Sequence, residues 1–336
     1  MKIAVLFDTL HPEWEDAQYQ EAVAAGTEEA EYDVARALVA NGHEVVLIGV
    51  ADRLDLVLAR LASAAPALVF NGCEAFRGIA RHEYGVAAAL ELHGFRYTGS
   101  SPTGLLVARN KALSKKILAY HGIRIPAFAD FAPGEKGVRP SALRFPLIVK
   151  PLLEDASVGI AQASVVDDDA GLAERVRFIH DKCHQAAIVE ELIEGRELYV
   201  GLLGNRPPEA LPVVELRFGA PEGGAHQIAT YKAKWDDDYR RRKGIHNAFP
   251  EDLSPAVSAN IATVCTAAFR ALLLQDYGRM DLRLTHDDEL YLLEVNPNPF
   301  LARGHEMADA AERAGLSYER FVERIVAAAL ERADEG

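Results

Sequence analysis

The stretch Gly278-Arg-Met-Asp-Leu-Arg-Leu-Thr-His-Asp-Asp-Glu-Leu-Tyr-Leu-Leu-Glu-Val-Asn-Pro-Asn-Pro299 decides how the chain is read. His286-Asp287-Asp288 separates two alternating apolar runs, which is the pattern of a β-hairpin. Folded about that turn, Asp281 lies opposite Glu294, and Arg279 lies near Asn296. Glu294 and Asn296 stand two apart, so both project from one face. That face carries two carboxylates, an amide oxygen and a guanidinium. Hard oxygen donors suit Mg²⁺, which completes its shell with water and nucleotide phosphate. The competing reading is a solvated salt bridge on an exposed hairpin, but Leu290 to Val295 is too apolar for a wet edge.

Working upstream, Val5-Leu6-Phe7 reads as a buried strand and Glu28 to Ala40 as an amphipathic helix ended by Asn41-Gly42. Strands at Glu44 to Val50 and Ala67 to Phe70 flank a helix from Asp52 to Ala64. Such alternation implies a parallel sheet with ligands near the carboxyl ends of its strands. A helix from His82 to His93 leads to a short strand, Phe95-Arg-Tyr97, and a boundary near Pro102. Leu105 to His121 reads as one helix carrying Lys111, Lys115 and Lys116. Beyond it, Phe145 to Lys150 and Ser157 to Val166 read as a strand pair round a small-residue loop. A helix over Asp169 to Lys182 and the strand Ala187 to Glu190 come next. Longer strands are then expected at Leu198 to Leu203, Ala210 to Leu216 and Gln227 to Tyr231. Ser254-Pro255 opens a helix to Leu274, and Ser317 caps a last helix from Tyr318 to Arg332.

The chain has 336 residues, enough for two or three subdomains round a cleft. Its net charge of −14 repels phosphate backbones, which argues against a nucleic-acid partner. The basic run Tyr239-Arg-Arg-Arg-Lys243 reads as a solvated face. Cys73, Cys183 and Cys265 are scattered, without a disulfide or zinc spacing. No apolar run approaches the roughly 20 residues of a membrane helix. The start of the chain does not resemble a signal sequence, so the expected compartment is the cytoplasm, with no membrane partner. The motif G-x-x-x-x-G-K-[ST] is missing, so a Walker-type fold is not supported.

Several motifs in order, from about Ala67 to Ala328, resemble the ATP-grasp superfamily, and most closely its D-alanine–D-alanine ligase-like branch. Tyr97-Thr-Gly-Ser100 and Asn110-Lys111 are similar to the end of that family's first domain and its first nucleotide lysine. Pro146-Leu-Ile-Val-Lys150-Pro151 resembles the strand bearing the second lysine. Ala156-Ser157-Val-Gly159 resembles the loop that folds over the phosphates. Glu190 to Glu197 looks like the adenine and ribose hinge. Ala233-Lys234-Trp235 is similar to a mobile loop that brings a lysine to the γ-phosphate. Arg279-Met-Asp281 with Glu294-Val-Asn296 resembles the metal and transition-state motif.

The resemblance implies an α/β (α+β) protein of ATP-grasp fold in three parts. These are an N-terminal parallel α/β (preATP-grasp) domain over 1–102, a central subdomain over 103–195 and a C-terminal subdomain over 196–336 with the metal site. It implies ATP bound by Lys111, Lys150, Ser157, Glu190, Ile193, Glu197 and Lys234. Glu190 and Ile193 would offer backbone groups to adenine, and Glu197 would take the ribose hydroxyls. Asp281, Glu294 and Asn296 would hold Mg²⁺, with Mn²⁺ an alternative. Arg279, Lys234 and Lys150 would carry catalysis on small-molecule carboxylate and amine substrates, and a homodimer comes with the family. Phosphoryl transfer needs positioning and charge more than a protein nucleophile, which fits a site of Lys, Arg and Mg²⁺.

The substrate half departs from the family. Asp8 to Glu15 replaces a Gly-rich turn, and Asn71-Gly-Cys-Glu74 replaces a His-Gly. Phe300 takes the place of an oxyanion-hole glycine. Ala156 and Trp235 replace a serine and a tyrosine. Trp235 and Phe300 suggest a larger or flatter acceptor, Arg303 or His305 a partner for its carboxylate, and Glu74 a partner for an ammonium. The expectation is therefore an acylphosphate-forming carboxylate–amine ligase acting on an amino acid or natural-product intermediate, of the mycosporine-glycine–amine ligase sort. The rivals are an authentic D-alanine–D-alanine ligase, an ATP-binding regulator and another ATP-grasp chemistry such as carboxylation.

Overall fold

A computed structural model describes residues 1–11, 13–24, 30–154, 157, 159–219 and 226–334. Asp155, Ala156 and Val158 of the small loop, and Glu28 at the expected helix start, lie outside the described residues.

The N-terminal sheet is parallel, formed by β1 (Lys2–Asp8), β2 (Glu44–Val50) and β3 (Leu68–Asn71) in the order β2-β1-β3. The middle strand is covered on both faces, which explains its unbroken apolar run. Helices α1 (Asp16–Ala24), α2 (Ala30–Ala40), α3 (Leu54–Ala64) and α4 (Glu83–Leu92) accompany it. The expected strand at Phe95 to Tyr97 reduces to one parallel bridge, Val69 with Tyr97. Gly99, at φ +92°, turns the chain away before a ladder can form.

The helix expected over Leu105 to His121 is two helices, α5 (Pro102–Arg109) and α6 (Lys111–Tyr120). Asn110 is extended between them, and its side chain accepts from the Leu113 amide at 3.0 Å. This cap ends one helix and starts the next. It also sets Lys111 at the first helical position, facing the cleft.

The central sheet is antiparallel, with β4 (Phe128–Phe131), β5 (Leu147–Pro151), β6 (Val165–Val166) and β7 (Ala187–Glu191) in the order β4-β7-β5-β6. Of the strand expected over Ser157 to Val166, only β6 is present. Ser157 sits at φ +60°, and Gln162–Ser164 forms a 3₁₀ turn. Helix α7 (Asp169–Phe178) runs on as a π turn, Ile179–Cys183, rather than as regular helix to Lys182.

The third sheet contains β8 (Arg196–Leu203), β9 (Glu209–Ala210), β10 (Val214–Arg217), β11 (His246–Ala248), β12 (Tyr277–Leu284) and β13 (Leu290–Asn296). Its order is β11-β10-β8-β12-β13, with β9 beside β8. The expected strand Ala210 to Leu216 is interrupted around Pro212, which has no N–H for a ladder. Gln227 to Tyr231 is not a strand. Thr230 instead caps α8 (Tyr231–Trp235), accepting from the Ala233 amide at 3.2 Å. The basic run lies in α9 (Asp237–Lys243), which has no buried side chain. Helices α10 (Pro255–Ala271), α11 (Glu306–Arg313) and α12 (Tyr318–Asp334) pack round this sheet.

The deciding hairpin has the expected register, Asp281 opposite Glu294 and Arg279 opposite Asn296. The ladder shifts between Asp281 and Leu282, leaving Leu293 as a bulge. Lys115, buried in α6, donates to the freed Leu293 carbonyl at 2.8 Å.

One buried carboxylate joins distant parts of the chain. Asp276, 0% exposed, accepts from the Gly99 amide at 2.8 Å and from Asn205 at 3.0 Å. Arg332 of α12 reaches it at 3.0 Å and the Tyr97 carbonyl at 2.7 Å. Removing one partner of a buried pair strands the other charge. Arg332→Ala should therefore lower unfolding free energy by about 3 kcal/mol. A urea midpoint unchanged by the substitution would show that Asp276 is neutralised another way.

Candidate active site

The ends of β5 and β7 and the face of the β12–β13 hairpin enclose a cavity of about 60 Å3. Lys150, Ser157, Glu190, Ile193 and Glu197 line it, with Lys234, Asp281 and Glu294 across from them. Residues far apart in sequence, grouped by motif, thus share one cleft. Its charges are clipped to one another. Lys111 Nζ lies 2.6 Å from Glu294 Oε1, Lys150 Nζ 2.9 Å from Glu190 Oε2, and Lys234 Nζ 3.5 Å from Asp281 Oδ2.

Glu190 is 1% exposed, and Lys115 approaches its other oxygen at 3.3 Å. Burial alone would raise the Glu190 pKa, but the two ammoniums hold it below the usual carboxylate range. Lys115 moves down, because burial penalises its charge and it shares a single carboxylate with Lys150. Two cations and one anion leave that wall of the cleft short of negative charge, which a phosphate would supply.

Glu294 is pushed the same way as Glu190. Burial would raise it, yet Lys111 and Lys234 bring it to about 2. Its Oε1 is buried, with the Lys111 ammonium at 2.6 Å. Asn296 turns its amide nitrogen to Asp281 Oδ1 at 3.1 Å, leaving the amide oxygen available. Among the described residues no three His, Cys, Asp or Glu side chains cluster as a metal site. Two carboxylates and an amide oxygen on one face of the hairpin nevertheless fit a hard cation that keeps several non-protein ligands.

A second cavity, about 320 Å3, adjoins the first. Lys234 lines both. Arg279 stands in its wall, gripping Asp281 through Nε at 2.8 Å and Nη2 at 3.1 Å, over the Tyr199 ring at 5.2 Å. Burial works against the Arg279 charge, but Asp281 and Glu306 more than offset it and raise its pKa. Trp235, Phe300 and His305 meet here. Phe300 lies edge-on to Trp235 at 5.8 Å and to His305 at 4.7 Å between ring centroids.

The D-ala D-ala ligase C-terminus family model matches residues 117–327. A D-alanine–D-alanine ligase of Pelobacter propionicus is 33% identical, over 98% of this chain and 96% of that protein. An uncharacterized protein, y4sG, of Sinorhizobium fredii is 34% identical over 87% and 85%. The chain belongs to the D-alanine–D-alanine ligase-like ATP-grasp family. The crystal structure of D-alanine–D-alanine ligase from Bacillus anthracis complexed with ATP superposes with a TM-score of 0.76 at 21% identity, covering 100% of this chain and 99% of that one. The fold is therefore ATP-grasp, with a parallel sheet in its N-terminal region. The protein is an ATP-using ligase that forms carbon–nitrogen bonds from small molecules. Among the described residues no helix is long and apolar enough to cross a membrane.

Not every expected site residue of this ligase lies where the sequence places it. Arg303 is outside both cavities. It pairs with Glu319 at 2.5 Å and stacks on Tyr318 at 4.1 Å, both of α12, so it is a surface brace and not a substrate contact. Glu190 sits in a strand paired on both sides, with Phe128 and with Ile148. It therefore presents its carboxylate to the cleft, not the free backbone expected for adenine. Ile193 lies just past that strand and lines the cavity. Glu197 is held by Arg283 at 2.6 Å and Tyr199 at 3.0 Å, and a ribose hydroxyl would have to share those oxygens. Glu74, Trp235, Phe300 and His305 do line the larger cavity.

Sequence reasoning missed other residues in its wall. Glu306 caps the Arg279 guanidinium at 3.6 Å. Glu83 and Arg109 form a buried pair at 2.6 Å. Asp8, at the carboxyl end of β1, accepts from the Glu74 amide at 2.9 Å. Its position is where parallel sheets place ligands, a signal the sequence did contain.

Asp8 is open at the cavity mouth but walled by protein, and that partial burial lifts its pKa to about 6. Folding thus favours its protonated form. The associated stability is present below about pH 4, the unfolded value, and is lost as pH rises through about 6. Asp8→Asn keeps an acceptor for the Glu74 amide without the charge. Thermal melts should show Asp8→Asn gaining on the parent at pH 8 and matching it near pH 4. A difference that stays constant between those pH values would overturn the assignment.

Proposed function

We propose that this ligase activates the carboxylate of one amino acid with ATP and joins it to the amine of a second. D-alanine–D-alanine ligation is the first reading. The sequence departures rank it behind natural-product ligation, but the relatives reverse that order. Those with a stated activity are D-alanine–D-alanine ligases, one of them matched over nearly its whole length. The observation that carries the chemistry is Lys234, common to the small charged cleft and the larger substrate cavity. It sits where a transferring phosphoryl group would meet a carboxylate.

The donor carboxylate attacks the γ-phosphorus, the bond to the bridging oxygen breaks, and ADP leaves. The amine nitrogen of the acceptor then attacks the acyl carbon, loses a proton, and phosphate departs. Lys111, Lys150 and Lys234 would hold the triphosphate, exchanging their carboxylate partners for phosphate oxygens. Ser157 and Ile193 would border the nucleotide. Asp281, Glu294 and Asn296 would hold Mg²⁺, or Mn²⁺ in its place, supplying neutralisation of phosphate charge. Arg279, kept charged and aimed by Asp281 and Glu306, would steady the tetrahedral oxyanion.

The natural-product reading keeps one observation in its favour. The Trp235, Phe300 and His305 cluster is more aromatic surface than two alanines can use.

Phosphate release with Mg·ATP and D-alanine, with the dipeptide seen by mass spectrometry, is the expected result. Phosphate release only with larger amines would favour the second reading. Arg279→Ala should cut kcat by roughly 100-fold or more, the scale of losing an oxyanion donor, while the KM for ATP changes little. Equal damage to both parameters would move Arg279 from the reacting centre to nucleotide binding.

A further inference from the structure

A third cavity, about 220 Å3, opens off the substrate cavity at the carboxyl end of the parallel sheet. The two share Asp8, Glu74, Asn298, Pro299 and Phe300. Of its other described lining residues, Glu31 at the start of α2 is charged and the rest are apolar or glycine. Val5, Phe7 and Phe70 come from the sheet, Val34 from α2, and Leu301 from the segment after Phe300. These side chains are at most 6% exposed, so the wall is packed core, not a surface dent.

An unfilled apolar cavity denies its lining atoms their contacts. One of roughly 150 Å3 holds a benzene ring in another protein. This one is larger, and it joins a site that handles amino acids. Alanine has one methyl group and would leave it empty. The carboxylates of Asp8 and Glu74 line both chambers, and Lys234 and Arg279 line the substrate cavity. An amino acid that set its carboxylate on the cations and its ammonium on the carboxylates would lie beside the apolar chamber. Its side chain would then turn into that chamber.

Keeping the ATP-dependent amino-acid ligase reading on which this rests, but replacing D-alanine as its donor, we propose that the carboxyl donor is an amino acid with a branched or aromatic side chain, housed in the Val34–Phe70 chamber. Val34 is then a specificity-determining residue. Phe300, which walls both chambers, separates the donor side chain from the acceptor.

The test pairs each of a set of D- and L-amino acids (alanine, valine, leucine, phenylalanine) with D-alanine and Mg·ATP. Phosphate release gives kcat/KM, and tandem mass spectrometry reads which residue is N-terminal in the product. The leucine or phenylalanine donor is expected to exceed alanine by about tenfold or more, the scale of a methylene or two in an apolar pocket. In the series Val34→Ala, Val34→Ile and Val34→Phe, the large-to-small ratio should fall stepwise by about tenfold overall as the chamber fills. Retained binding of a fluorescent ATP analogue identifies folded variants, and the one-methylene Val34→Ile carries the test should Val34→Phe not fold. Alanine outcompeting every larger donor, or a ratio indifferent to residue 34, overturns the donor assignment and leaves the ligase reading standing. No amino-acid-dependent phosphate release from any donor, with D-alanine or with larger aromatic amines as acceptor, overturns both.

Discussion

The active cleft is held by an exchange of charge. Lysines 111, 150 and 234 each lean on a carboxylate, Glu294, Glu190 and Asp281, and of these pairs only Lys111–Glu294 joins the central part of the chain to the hairpin. On the proposed reading these are also the groups that a nucleotide phosphate and a divalent cation would take. Isolated buried charges are costly, so the protein pairs them, and a ligand offering anion and cation together can take both partners at once. The cavity bordered by the Lys150 and Lys234 pairs is about 60 Å3.

How much of this was legible follows from the range of the forces involved. The hairpin register was readable because alternation and a polar turn are local and redundant. Its bulge was not, since Leu293 is freed by a lysine from α6, 178 residues away in sequence. Two errors in secondary structure were local and avoidable. Asn110 and Thr230 are good helix caps standing inside apolar patterns, and the pattern was given more weight than the cap. Ser157 adopts a positive φ that nothing in its own identity announces.

The candidate site divides the same way. Asp281, Glu294, Asn296 and Arg279 share a face because hairpin register dictates where they project, whereas the lysines were singled out by family resemblance. Arg303 was misassigned because its partners, Tyr318 and Glu319, come from the last helix, and nothing near Arg303 in sequence reveals them. Glu306 and the Glu83–Arg109 pair were missed for the same reason. Each is meaningful only through a residue from another element.

The cleft and the substrate chambers differ in how freely they tolerate change. Every charged group in the cleft is tied to at least one other, so a substitution there strands a partner at a cost of several kcal/mol, on the order of 3–5. The chamber walls are apolar, and replacing one hydrophobe by another of similar volume costs under about 1.5 kcal/mol. A ligase can therefore alter what it joins by repacking Val34, Phe70, Phe300 or Trp235 while the phosphoryl-transfer half stays fixed. Lys234 and Arg279 sit on the seam, one lining both cavities and the other gripping Asp281 from the substrate side. On the proposed reading, that seam would fix where the reacting carboxylate lies, and the shape of the chamber behind it would decide which carboxylate arrives.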